Sequence, residues 1–311
     1  MLSHGTVRAV VVSWNGAHLL PACLDSLAAQ TLPVEVVVVD NASTDGTADL
    51  LVARDVRVVR AGRNLGFAGG AALGMRGATG HVVLLNNDAT FAPDAVERLV
   101  HAFDEPSVGA ATAKILLAGT DPVLVNSTGN IVTADGRGTD RDFRRLLGTE
   151  SADPDVFGFC GGAALLRREM LDAVGGFDPS LFLYYEDTDL SWRMRAAGWS
   201  VRYVPAAVAE HQHAASSGTD SPVFRYYNTR NSLVVLTRHA PKSVAARSLA
   251  RQGLGLLRAA LSAPTAPTTR ARARGIGAHV LRLPRTLAER RRVWDGSAVS
   301  RADVATYVGR A

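Results

Sequence analysis

Only two cysteines, Cys23 and Cys160, occur in 311 residues. Two are too few for a disulfide framework, and no CxxC pair or Cys/His cluster has zinc-site spacing, so a reducing, cytoplasmic setting is expected. Aromatic residues make up 6% of the chain and are not interleaved with the basic ones, which argues against a nucleic-acid partner. No run of about 18 apolar residues is free of charge, so no membrane-spanning helix is expected. The first residues lack a basic leader, an apolar run and a small-residue cleavage site, so no signal peptide is expected. After the first apolar run the chain reads Ser-Trp-Asn-Gly-Ala. That is neither the Gly-x-Gly-x-x-Gly turn of a dehydrogenase nor the Gly-x-Gly-Thr-Arg loop of a nucleotidyltransferase.

What is present suits a globular protein: 47% apolar and 20% charged residues, enough for one large core with or without an appendage. The net charge of +5 hides a division. Of the chain's 34 Lys+Arg and 29 Asp+Glu, residues 221–311 hold 17 and three, leaving 17 and 26 in 1–220. An acidic body over 1–220 and a basic helical extension over 221–311 are therefore expected. Such asymmetry points to an anionic membrane surface or polyanion, or else to a solvated helical surface.

Val7–Ser13 and Val34–Asp40 are β-branched apolar runs that read as buried parallel strands. Strands are also expected over Val56–Ala61 and His81–Leu85, with helices over Ala17–Gln30, Thr47–Ala53, Gly69–Ala78 and Pro93–Phe103. This alternation predicts an α/β sheet with helices on both faces. Shorter strands follow, ending with Val201–Val204. Helices over 223–240, 242–262 and 276–292 complete the chain.

Ligands of α/β sheets bind beyond the carboxyl ends of the strands. Ser13-Trp14-Asn15-Gly16, Asp40-Asn41 and Asn86-Asn87-Asp88 follow three of them, and Arg63-Asn64-Leu65-Gly66-Phe67-Ala68-Gly69 is a glycine-rich connection. Asp40 can accept from a pyrimidine N–H and a ribose hydroxyl, and the glycine loop lets backbone approach a sugar or phosphate. Asp88 is a hard oxygen ligand for Mg²⁺ or Mn²⁺ on a diphosphate. Each also has a plainer reading: an Asx turn and cap at Asp40-Asn41, turn chemistry at the glycines, a polar loop at Asn86–Asp88, a cap at Asn15 and packing for Trp14.

Together the segments VVVSWNG, VVVVDNASTDGT, NLGFAGG and VVLLNNDA, in this order and spacing, resemble the family 2 glycosyltransferases of the GT-A fold. Asn86-Asn87-Asp88 stands where that family carries its Asp-x-Asp-type metal motif. Ala72 departs from the Asn that many relatives have there. The likeness continues through Gly158–Arg168, where Gly161 and Gly162 fall on the acceptor side, and through Tyr184–Arg193, which resembles the family's Glu-Asp motif. It implies Asp187 as general base, with Glu186 orienting it or touching the acceptor, whereas Asp189 is better placed to pair with Arg193 four residues on. Helix N-capping is the alternative for the cluster. The resemblance further implies a metal-binding histidine, His211 or alternatively His213, and an Arg230 that neutralises the departing diphosphate. The donor residues it implies are Ser13, Asn15, Asp40, Asn41, Arg63, Asn64, Gly66, Gly69, Asn86 and Asn87.

The expected activity is metal-dependent, inverting transfer from a nucleotide-diphosphate sugar. The NNDA, YYEDTDLSWR and YYNTRN segments most resemble bacterial rhamnosyltransferases of cell-surface polysaccharides, so dTDP-rhamnose is the first donor expected and a UDP-hexose the second. The basic amphipathic 242–262 suits the inner face of an anionic membrane and a glycan or lipid-linked glycan acceptor. A catalytically inactive scaffold of the same fold is the competing reading.

Overall fold

A computed structural model describes residues 6–54, 56–212 and 221–310. Nine strands form one sheet, in which β3 (Arg57–Arg60), β2 (Val34–Asp40), β1 (Val7–Ser13) and β4 (His81–Leu85) run parallel in that spatial order. The cores of β1, β2 and β4, VVVV and HVVLL among them, are buried on both faces, which is why they read as continuous apolar runs rather than alternating ones. The sheet continues antiparallel through β10 (Ala163–Leu166) to β6 (Val108–Leu117), then through β11 (Ser200–His211) to the short β5 (Ala89–Phe91). β7 (Val125–Ser127) adds to β6, and β8 (Asn130–Val132) pairs with β9 (Gly138–Asp140) as a separate hairpin.

On one face lie α1 (Leu20–Ala28) and α4 (Ala95–His101), whose Leu20, Leu24, Leu27 and Leu99 pack on Val11, Val83 and Leu165. α2 (Thr47–Ala53) sends Leu51 into the same cluster. The other face is covered by α3 (Gly66–Gly74), α5 (Arg168–Val174) and α6 (Glu186–Ala196), centred on a fully buried Trp192. The C-terminal α7 (Pro222–His239) puts Val234, Val235 and Leu236 into this second cluster, and α8 (Lys242–Ser262), α9 (Pro267–Asp295) and α10 (Arg301–Val304) follow it. The basic region thus shares core with the acidic body.

Several boundaries differ from expectation, three of them with a structural reason. The glycine loop is itself the first turn of α3, so that helix begins at Gly66 and not at Gly69. α9 runs through Pro284 and starts nine residues earlier than its periodicity indicates. β11 does not stop at Val204: its register against β6 shifts between Val204 and Val208, and the strand continues to His211. Pro205 sits in that irregularity, where a missing N–H breaks no ladder bond.

Candidate active site

Beyond its shift, β11 is flanked by β5, and this pairing sets Ala89 opposite His211. Asp88 immediately precedes β5, and its carbonyl accepts from the Gln212 N–H at 2.9 Å. Two residues 123 apart in sequence are thereby fixed side by side, with His211 Nε2 at 3.0 Å from Asp88 Oδ1. The opposite ring nitrogen, Nδ1, lies 2.7 Å from the amide oxygen of Asn126. An amide oxygen only accepts, so Nδ1 carries the proton there. Nε2 then faces a carboxylate oxygen, an arrangement satisfied by a second proton or by a cation between them.

The donor set fits Mg²⁺ or Mn²⁺. Two ligands about 2.1 Å from an octahedral ion stand about 3 Å apart, which matches the observed pair. Anchoring the far N–H of a ligating histidine is the usual way its ring is oriented. Among the described residues no three His, Cys, Asp or Glu side chains gather in metal-binding fashion. An ion held by Asp88 and His211 would need phosphate oxygens and water to complete its shell. His213 lies outside the described residues.

Asn86 and Asn87 have supporting positions. Asn86 Nδ2 is 3.5 Å from His211 Nε2, and Asn87 Nδ2 donates to Ser13 Oγ at 3.3 Å, tying the end of β4 to that of β1. A Cβ on Gly16 would stand 2.3 Å from this same Nδ2 and 2.6 Å from Ser13 Oγ, so a larger residue there would push this contact apart. The Asn86 N–H donates to the Gly162 carbonyl at 3.0 Å.

One residue earlier, the Gly161 N–H donates to Asp187 Oδ2 at 3.3 Å. The dipeptide Gly161-Gly162 thus bridges the expected base and the metal motif. Asp187, in the first turn of α6, also accepts from the Thr188 N–H at 2.6 Å and from the Asn130 side chain. Burial nevertheless lifts its carboxyl above the usual carboxylate range. Glu186 is pushed further up, by burial and then by the charge of Asp187, and its Oε2 has no hydrogen-bond partner among the described residues.

A carboxylate that the sequence reading missed completes this group. Asp140, the last residue of β9 and the register partner of Asn130, is hydrogen-bonded by Ser127 and Cys160 and feels the charges of Asp187 and His211. Burial is the largest cause that pushes its pKa up to about 6. In sequence, Gly-Thr-Asp-Arg-Asp reads as an ordinary polar turn, and only the β8–β9 hairpin carries Asp140 into the site.

The segment leading to Glu186 is strained. Phe182, Tyr184 and Tyr185 have φ of 68°, 67° and 70°, a left-handed conformation costing on the order of 1–3 kcal/mol per bulky residue. Asn231 Nδ2 holds it by donating to the carbonyls of Leu181, Leu183 and Tyr184 at 2.8–2.9 Å. Arg230 Nη2 adds bonds to the Ser180 and Leu181 carbonyls at 2.9 and 2.7 Å. The buried Arg230, expected at the diphosphate, is instead engaged in clamping this loop. From the other side Gly66 supports it: φ there is +69° and a Cβ would lie 2.1 Å from the Phe182 carbonyl oxygen.

The remaining donor candidates divide. Asp40 Oδ1 accepts the Ser43 N–H at 3.0 Å, so the Asx turn forms. Asn15 lies at φ 52° and binds the Thr44 N–H at 2.8 Å, joining the loops after β1 and β2. Asn41 turns inward: it donates to Asn64 Oδ1 at 3.0 Å and the Gly66 carbonyl at 3.1 Å and accepts the Leu65 N–H at 2.8 Å. Asn41 and Asn64 therefore shape the glycine loop from within. Gly69 is buried in α3, whereas Arg63 is exposed. Trp14 does not pack as expected; it is 48% exposed at the mouth of the crevice.

A family model described as "Glycosyl transferase family 2" matches residues 9–175. An N-acetylglucosaminyl-diphospho-decaprenol L-rhamnosyltransferase of Mycobacterium tuberculosis is 32% identical over 237 residues, covering 68% of this chain and 77% of its own. Among solved structures, GalNAc-T7 with UDP, GalNAc and Mn²⁺ has a TM-score of 0.64 at 16% identity, covering 78% of this chain; the chain spans only 49% of that protein. The mannosyltransferase PcManGT from Pyrobaculum calidifontis, solved with GDP-Man and Mn²⁺, has a TM-score of 0.57 at 21% identity and covers 95% and 89% of the two chains. The fold is that of the GT-A glycosyltransferases. With more than half its length matched and a relative of this identity, the chain belongs to glycosyltransferase family 2.

Proposed function

We propose that this glycosyltransferase is metal-dependent and inverting, and that it moves rhamnose from dTDP-rhamnose to a hydroxyl of a lipid-linked glycan. The observation that carries the mechanism is the bridge at Gly161-Gly162, which holds Asp187 on one side and the Asn86–Asp88 motif on the other. A donor whose diphosphate lies against Asp88 and His211 then presents its anomeric carbon towards Asp187. That carboxylate takes the acceptor proton as the oxygen attacks from the face opposite the leaving group, which inverts the centre. General-base assistance of this kind contributes roughly 10²–10⁴-fold. The raised pKa of Asp187 suits it to that task, because a carboxyl poised nearer neutrality holds a proton better. A divalent cation bound at Asp88 and His211 would stabilise negative charge on the departing diphosphate. Ser13, Asn15, Asp40, Asn86 and Asn87 line the donor side, while Gly161, Gly162 and Glu186 stand on the acceptor side.

Rhamnose and a lipid diphosphate acceptor follow the activity for which the M. tuberculosis relative is named. No described helix is long and apolar enough to cross a membrane. α8 exposes Leu249, Leu254, Leu257 and Leu261 among its basic residues, which supports docking on the inner face of an anionic membrane. The test is nucleotide release from dTDP-rhamnose, UDP-glucose and UDP-GlcNAc, with Mg²⁺ or Mn²⁺ and with chelator, in the presence of a polyprenyl-diphosphate-linked GlcNAc. Metal-dependent release of dTDP with a new rhamnosyl product is expected. Release from a UDP-sugar alone would move the donor assignment, and no release from any donor would favour a scaffold.

A further inference from the structure

α7 and α9 run side by side and come closest at Gly275, where a Cβ would lie 2.9 Å from the Tyr226 carbonyl oxygen and 3.1 Å from Thr229 Cβ. Towards their first turns they flank an open cavity of about 540 Å³. Pro222 and Pro267, each in the first turn of its helix, stand at this end, where Ser221 Oγ already accepts the Phe224 N–H of α7. Arg270 and Arg274, one turn apart on α9, line one wall, with Tyr226 and Tyr227 on the other. Neither arginine has a carboxylate partner among the described residues. The one contact seen is Arg274 at 5.9 Å from the Tyr226 ring centre. Two exposed guanidinium groups without a carboxylate partner among the described residues, set beside aromatic rings, suit an anion, and arginine's planar fork favours phosphate.

The cavity adjoins the catalytic crevice through one shared ring. Tyr227 stacks on Phe182 with centroids 4.7 Å apart and planes 15° from parallel. Phe182 accepts the Ala68 N–H of the glycine loop at 3.1 Å and opens the strained segment that ends at Glu186-Asp187. On the outer side, α8 ends at Ser262, only four residues before α9 begins, so its last exposed residues, Leu257 and Leu261, lie near the same end. Val223, 52% exposed, lines the cavity itself. From crevice outwards the order is a base, an arginine-lined cavity and exposed leucines. It matches a molecule carrying a sugar hydroxyl, then phosphate, then an apolar chain.

We propose that the cavity between α7 and α9 binds the diphosphate of the lipid-linked acceptor, placing its sugar before Asp187. This rests on the acceptor reading above. The test is calorimetric binding of farnesyl diphosphate to the full chain and to the Arg270→Gln/Arg274→Gln variant, with farnesol, dTDP and phosphatidylglycerol vesicles as comparison ligands. The wild type binds farnesyl diphosphate and not farnesol. The variant binds it at least about tenfold more weakly, because charge-assisted hydrogen bonds to the phosphates are lost. Its affinity for dTDP and its melting temperature stay unchanged. Equal affinity of variant and wild type for farnesyl diphosphate overturns the proposal. So does loss of vesicle binding alone, which would make the cavity a phospholipid-headgroup site. Arginine-dependent binding, without product from any lipid diphosphate sugar, would sustain the anion site and overturn the acceptor reading instead.

Discussion

Two carboxylates two residues apart on α6 have opposite electrostatics. Neither Asp187 nor its neighbour Glu186 has a cationic partner among the described residues, and burial raises both. Asp189 points into the core. Burial pushes its carboxyl up as well, but Arg193 and Arg238 more than offset this and hold it well below the usual range. Arg193 Nε and Arg238 Nη1 reach its two oxygens at 2.9 and 2.6 Å, and His239 Nε2 adds a contact at 2.8 Å. Burial lowers that histidine to a pKa of about 4, so it stays neutral at physiological pH. Arg238 continues to Asp178 and Glu289, linking α6 to the C-terminal helices. One helix thus separates chemistry from anchorage: the acids left without cations can take a proton, and the compensated one fixes the helix that carries them.

The largest effect that would break this contrast is expected at Asp187. Asp187→Asn should lower transfer at least roughly 10²–10⁴-fold, while dTDP binding and melting temperature persist. Turnover at the normal rate by the purified variant would remove the base assignment. Arg238→Met tests the other side. Leaving Asp189 buried with one cation fewer should cost about 3–5 kcal/mol, read as a lower denaturation midpoint, while the protein that remains folded keeps its kcat. Unchanged stability with lost activity would mean that the two acids are not divided as described. Third comes Asn126→Ala. Metal ligands that lose such an outer partner typically lose about 10–100-fold in metal affinity, so the concentration of Mn²⁺ giving half-maximal activity should rise accordingly. No change would detach His211 from the metal.

Much of this was legible beforehand, and the failures share a cause. α2, β4 and α8 fall where their periodicity places them, because each is specified by its own residues. The pairing of Asp189 with Arg193 was readable from helical spacing alone. Asp88 and His211 were readable as types of residue, but what joins them is the continuation of β11 past Pro205, a tertiary register that no local pattern reveals. Asp140, Asn126 and Asn130 escaped for the same reason: Asp140 looks like a turn residue, and Asn126 and Asn130 like ordinary strand positions, until the sheet and the β8–β9 hairpin position them. Asn41, Asn64 and Arg230 are expected at the donor by the family resemblance. Their partners are backbone carbonyls and amides made needy by the tight glycine loop and the left-handed Phe182–Tyr185 segment.

The smallest expected effect sharpens the comparison through pH. A carboxyl whose folded pKa is raised binds its proton more tightly in the folded state. For Glu186 stability is therefore greatest below the usual value of 4.5 and falls as pH rises from there to the raised value. Asp189 behaves in reverse: its contribution is fully present above 3.8 and is lost as pH falls below that towards its depressed value. Glu186→Gln should thus raise the melting temperature at pH 7.5 and match the wild type at pH 4. Asp189→Asn should lower it throughout that range, with the gap narrowing only in stronger acid. Thermal scans of both variants from pH 3 to 8 separate the two. A Glu186→Gln protein less stable than wild type at pH 7.5 would mean that this acid, too, has a cationic partner in the fold, and that the division along α6 lies elsewhere.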